Sequence, residues 1–195
     1  MYRFSRFIIL VILKIFFRFK VEGRENIPER GGFILVSNHI SYLDPPAVGS
    51  ACRRPVHFIA RDNLFDIPLL KFWLKAVGVI PLKRDSADTS AIKKGLKVLR
   101  NGEGLALFPE GTRRSKEDRY LNPEPGAGFL AAKGGVPVIP AFVSGTDEAL
   151  PRHAHSLRLT KIHVRLGKEI LIERGKPYQE ISDLIMAKIK ELSNN

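Results

Sequence analysis

Three short segments of this chain are apolar at nearly every position: Phe33–Val36, Leu105–Phe108 and Val136–Val143. Runs this brief and uniform suit buried strands, and they constrain the fold more than any other feature. Between them lie segments of helical period. Thr89–Arg100 sets Ile92, Leu96 and Leu99 against Lys93, Lys94 and Lys97, and Tyr178–Leu192 is amphipathic. Pro68–Val77 carries Lys71 and Lys75 on one face and stops at Gly78, and Gly126–Lys133 is a short helix. Further strands are expected from Val21, over Pro55–Ala60, over Val79–Leu82 and over Lys161–Leu166. Strands alternating with helices predict an α/β fold, a single three-layer domain with a mixed β-sheet flanked by helices. A length of 195 residues supports one sizeable core and is too short for two generous domains.

Hydrophobic residues make up 44% of the chain and include 12 Phe, which excludes a disordered polymer. The single cysteine, Cys52, excludes a disulfide framework and a cysteine-based zinc cage. A net charge of +12, from 32 basic and 20 acidic side chains, predicts an anionic partner: nucleic acid, an acidic membrane surface or a phosphorylated small molecule.

Residues 1–20 hold five basic side chains and no acidic one, and the longest wholly apolar run, Phe7–Leu13, is seven residues. Spanning a bilayer takes roughly 20. On a helical wheel Arg3, Arg6, Lys14 and Arg18 share an arc of about 120°, opposite Phe4, Ile8, Val11, Ile12, Ile15 and Phe19. The segment reads as an N-terminal amphipathic membrane-binding helix over 1–20, leaving 21–195 as the globular domain. Packing onto the domain and a snorkelled span are the alternatives.

Chemistry concentrates where strands end. Asn38-His39-Ile-Ser-Tyr-Leu-Asp44 follows the first buried strand. Within one helix, residues five apart diverge by about 140° and cannot bond. His39 and Asp44 become useful only if His39 lies in the strand-to-helix turn, with a helix beginning at Ser41 and Asp44 in its first turn. Asp44 could then fix one imidazole nitrogen and free the other; otherwise the pair is structural. Phe108-Pro-Glu-Gly-Thr-Arg-Arg-Ser115 follows another buried strand. There Gly111 permits positive φ, while Arg113 and Arg114 offer donors to phosphate or carboxylate; the plainer reading is a polar loop with Glu110 paired to an arginine. Lys83-Arg84 and Arg61-Asp62 place further cations at strand ends, which together suggest one electropositive pocket. No Gly-x-Ser-x-Gly elbow, dinucleotide fingerprint or Walker A motif occurs. His153 and His155 are too isolated a pair to indicate zinc.

Four blocks then resemble the glycerolipid acyltransferase family, of the bacterial 1-acylglycerol-3-phosphate (lysophosphatidate) acyltransferase type. They are Asn38–Asp44 with its His-x4-Asp spacing, Gly78–Arg84, Phe108–Arg113 and Val136–Pro140, in the family's order. The resemblance implies that His39 is a general base oriented by Asp44, and that Arg84, Glu110, Gly111 and Arg113 surround the acceptor's glycerol phosphate. Arg61 is a weaker transfer, at a position where relatives often carry lysine. Arg114 departs from the pattern by standing before the serine, so it competes with Arg113. The implied reaction moves an acyl group from acyl-CoA or acyl-carrier protein to the sn-2 hydroxyl of lysophosphatidic acid, with no metal or redox cofactor. The implied setting is the cytoplasmic face of the cell membrane, with the protein peripheral or monotopic on anionic phospholipid. The rival readings are another lysophospholipid or acyl-amino-acid lipid acceptor, a thioesterase, and a basic nucleic-acid-binding module. The last lacks any aromatic-basic RNA-binding pattern.

Overall fold

A computed structural model describes residues 1–83, 89–115, 118, 120, 122–151, 156–173 and 175–194. Arg84, His153 and His155, all singled out from the sequence, lie outside the described residues, as do parts of the polar segment after Arg114.

The apolar runs become the middle of a seven-stranded sheet. Its strands are β1 (Lys20–Glu22), β2 (Phe33–Ser37), β3 (Val56–Arg61), β4 (Ile80–Leu82), β5 (Gly104–Leu107), β6 (Val138–Ser144) and β7 (His163–Leu166). They are arranged β1-β7-β6-β2-β5-β3-β4. The five strands from β6 to β4 run parallel, whereas β7 is antiparallel to β6 and carries β1 parallel to itself. The sheet is therefore mixed, as expected. In β2 every residue is buried, because helices cover both faces. Phe33 and Leu35 point to one side, with α1 (Tyr2–Phe17) and α2 (Asp44–Ala51). Ile34 and Val36 point to the other, with α4 (Thr89–Arg100), α5 (Pro125–Gly134) and α7 (Tyr178–Ser193). The short helices α3 (Pro68–Ala76) and α6 (Thr146–Ala149) complete the chain.

The two ends of the parallel strands differ in character. At the end where they begin, Arg54 donates to the carbonyls of Pro28, Gly31 and Gly102 and lies over the Phe33 ring. That end is tied down. At the end where they finish, β2 and β5 are neighbours whose following helices, α2 and α5, pass to opposite faces. The chain must part there and leave a crevice, the place where α/β sheets put ligands.

Two helix boundaries differ most from the sequence reading. The N-terminal helix ends at Phe17, because Arg18 adopts a left-handed conformation (φ 42°) and Lys20 already belongs to β1. The helix expected from Ser41 starts instead at Asp44, after a turn in which the Asp44 N–H donates to the Ser41 carbonyl at 3.2 Å. The packing of α1 was also undecided by its wheel. Leu13 and Phe17 enter the core beside α2, Trp73 of α3 donates to Ser5 Oγ at 3.2 Å, and Tyr2 Oη accepts the Val56 N–H at 3.1 Å. Phe4, Phe7, Ile12, Ile15 and Phe16 stay exposed. Leu13→Ala is expected to cost about 2–5 kcal/mol of stability, whereas Phe7→Ser, at a position 64% exposed, should stay within about 0.5 kcal/mol. Chemical denaturation of both variants checks this; equal losses would contradict the packing described.

Candidate active site

β2 leaves the sheet at Ser37, and the next side chain continues its ladder. The Asn38 amide donates to the Val143 carbonyl at 2.9 Å and accepts the Val143 N–H at 2.8 Å. Asn38 is wholly buried, so these bonds form away from competing water and fix where the chain turns off. The next residue, His39, is held from four directions. Its ring stacks on Phe108 with centroids 4.2 Å apart and 21° between planes. Its Nδ1 lies 2.9 Å from Asp44 Oδ2. Its backbone N–H donates to Glu110 Oε1 at 3.1 Å, and its carbonyl accepts the Arg114 N–H at 2.9 Å.

The His-x4-Asp spacing works because the intervening residues form a turn. Ser41 Oγ accepts the Leu43 N–H at 3.3 Å and donates to the Leu150 carbonyl at 3.2 Å. Asp44, first in α2 and fully buried, then points back. Its Oδ2 accepts from Ile40 N–H at 2.6 Å and Ser41 N–H at 2.7 Å as well as facing the imidazole. A carboxylate can only accept, so the neutral ring must carry its proton on Nδ1 and leave Nε2 with a lone pair. The His39 side chain retains 17% exposure, enough to meet a substrate from the crevice. A base oriented by a buried carboxylate is the arrangement proton abstraction needs.

β5 delivers the facing loop. The Gly111 N–H donates to the Phe108 carbonyl at 2.9 Å, closing a turn in which Gly111 takes φ 62°, a value that favours glycine. The two arginines that compete on sequence separate in space. The Arg113 guanidinium lies 3.6 Å from the centre of the Tyr42 ring, and Tyr42 is exposed at the mouth of the crevice. Arg114 is half-buried and linked through its backbone to His39. Glu110 is fully buried between the loops, and burial pushes its carboxyl up to about 8. Arg61 is exposed at the end of β3, on the same edge of the sheet, beyond β5 from β2.

The structure thus gathers His39, Asp44, Glu110 and Arg114 around one turn, with Gly111 shaping the facing loop and Arg113 at its mouth. Sequence reasoning gave no role to Asn38, Tyr42 or Phe108, although all three stand inside the quoted motifs. Their signal was position: an amide directly after a buried strand, and aromatic rings beside the charged motif residues. Among the described residues, no group of three His, Cys, Asp or Glu side chains could hold a metal ion.

The chain is 35% identical over 139 residues to a chloroplastic 1-acyl-sn-glycerol-3-phosphate acyltransferase of Arabidopsis thaliana, covering 70% of this chain and 38% of that protein. It is 33% identical over 146 residues to the 1-acyl-sn-glycerol-3-phosphate acyltransferase of Bacillus subtilis, covering 74% and 72% respectively. The match thus spans about two fifths of the plant relative's length. The crystal structure of the 1-acyl-sn-glycerophosphate (LPA) acyltransferase PlsC from Thermotoga maritima superposes with a TM-score of 0.71 at 25% identity, over 98% of this chain and 82% of that one. The family model described as Acyltransferase matches residues 18–144, from the end of α1 to the end of β6 and across the loops after β2 and β5. By that match, this chain belongs to the acyltransferase family.

Proposed function

We propose that the protein is an O-acyltransferase that moves a fatty acyl group from an acyl thioester to the sn-2 hydroxyl of 1-acylglycerol-3-phosphate, giving phosphatidic acid. The observation that carries this reading is the His39–Asp44 pair at 2.9 Å, which leaves Nε2 as an oriented base in the crevice. Nε2 takes the hydroxyl proton as that oxygen attacks the thioester carbonyl. The new carbon–oxygen bond forms, the carbon–sulfur bond breaks, and the leaving thiolate of acyl-CoA or acyl-carrier protein regains the proton from the imidazolium. Thioester cleavage supplies the driving force, so the scheme uses no metal or redox cofactor. Arg113 on its Tyr42 platform and Arg84 bind the acceptor's phosphate, Gly111 lets backbone approach it, and Arg61 adds positive potential along the edge.

The acceptor and product are lipids, and α1 suits delivery from a bilayer. It packs on one seam and presents Phe4, Phe7, Ile12 and Ile15 outward. α3, joined to it through Trp73 and Ser5, adds Leu69 and Phe72 to the exposed apolar residues. Neither helix contains an acidic residue, and Arg3, Lys14, Lys71 and Lys75 supply cations for anionic headgroups. No helix among the described residues is long and apolar enough to cross a membrane. On this reading the protein works peripherally, or as a monotopic protein, on the cytoplasmic face of the cell membrane, with 21–195 as its catalytic domain.

An acyl-transfer assay on purified protein should show transfer to lysophosphatidic acid in preference to other lysophospholipids. His39→Ala should lower turnover by about 10²–10⁴-fold, and Arg84→Ala should mainly raise the acceptor KM. Free fatty acid release that ignores added acceptor would point to a thioesterase, and His39→Ala activity near wild type would remove the base. In a separate sedimentation assay, Phe4→Ser combined with Phe7→Ser should weaken binding to vesicles containing anionic phospholipid. Undiminished binding would contradict the interfacial role of α1.

A further inference from the structure

Glu110 sits in the motif expected to surround the acceptor's phosphate, yet its surroundings do not suit that task. The residue has 0% exposure, and an anion would gain nothing from a neighbouring carboxyl group. Its Oε1 accepts the His39 N–H at 3.1 Å, and its own backbone N–H also faces the carboxyl. Oε2 is buried, with no hydrogen-bond partner among the described residues. The residue stands at the head of the β5 loop and reaches across to the backbone of the β2 loop. That join is made a second time by the Arg114 N–H and the His39 carbonyl at 2.9 Å.

We infer that Glu110 is a positioning residue, which clasps the backbone of His39 across the crevice and sets the base against the facing loop, and that it does not bind the acceptor. The clasp needs one acceptor oxygen and no charge. The charged and titratable groups facing it are His39 and Asp44 from the β2–α2 segment and Arg114 from its own loop. Burial raises its carboxyl pKa first, Asp44 raises it further, and the two backbone bonds and Arg114 only partly offset this, leaving it at about 8. Two carboxyls thus flank His39 in different roles: Asp44 faces the ring, and Glu110 accepts from the backbone.

The inference rests on the acyl-transfer reading for its kinetic readout, so Glu110→Gln and Glu110→Ala are compared with wild type in two assays. Gln keeps an acceptor oxygen and matches the neutral acid in shape. With lysophosphatidic acid, Glu110→Gln should hold kcat and acceptor KM within about threefold of wild type. Glu110→Ala, which orphans the buried His39 N–H, should lose about tenfold or more in kcat with little change in KM. A Gln variant as impaired as Ala, or a rise in acceptor KM at constant kcat, would overturn the inference. An inactive wild type would instead sink the proposed function and leave the second assay to decide.

That second assay is stability against pH. The folded carboxyl stays protonated up to about 8, while the unfolded one ionises near 4.5. The stability it lends is therefore full below 4.5 and is lost as pH rises towards 8. The wild type's stability relative to Glu110→Gln should fall across that window, and a difference that stays flat there would overturn the neutral clasp.

Discussion

The carboxylate of Asp44 accepts from two backbone N–H groups and faces the Nδ1 of His39, and the rest of the site depends on that convergence. Taking a carboxylate out of water is costly, and the turn offsets part of that cost by bringing the Ile40 and Ser41 N–H groups onto Oδ2. Once closed, the turn leaves the imidazole a single arrangement, with one nitrogen bound and the other open to the crevice. Asn38 fixes the start of this turn to β6, while Glu110 and Arg114 fix its middle to the β5 loop. The imidazole is thus held by neighbours on both sides of β2.

The sheet explains why this can be built here. Strands β2 and β5 are adjacent, and the helices after them go to opposite faces. The parting forces loops where strands end and lets polar groups meet without breaking the ladder. At the other end Arg54 ties three loop carbonyls together, so rigidity and chemistry occupy opposite edges. In the α1 helix Leu13 and Phe17 close the core, while its exposed phenylalanines form an outward apolar face.

Much of this was legible in the sequence for physical reasons. Phe33–Val36 and Leu105–Phe108 are uniformly apolar because both their faces are covered, and such runs have few alternatives. His39 and Asp44 were legible as a pair only through the turn between them, which their five-residue spacing demands of any contact. Other features left little trace. Glu110 reads as a polar-loop residue paired to an arginine, since a single acidic letter does not reveal burial between two loops. The wheel of α1 is apolar around most of its circumference, so it could not separate the seam of Ser5, Leu13 and Phe17 from the outward face. The helix start fell at Asp44 rather than Ser41 because the Ser41 hydroxyl is spent inside the turn. Arg113 and Arg114 differ in role through Tyr42, a contact across the crevice that neighbouring positions in the chain cannot show.

The central claim is that Asp44 makes Nε2 of His39 the free base, and nitrogen-15 NMR of the histidine side chains tests it most directly. In the neutral ring, the spectrum should show the proton on Nδ1 and an unprotonated Nε2, and Asp44→Asn should weaken that preference. A wild-type ring protonated at Nε2 with a bare Nδ1 would contradict the account, because the nitrogen facing the crevice would then have no lone pair to accept a proton.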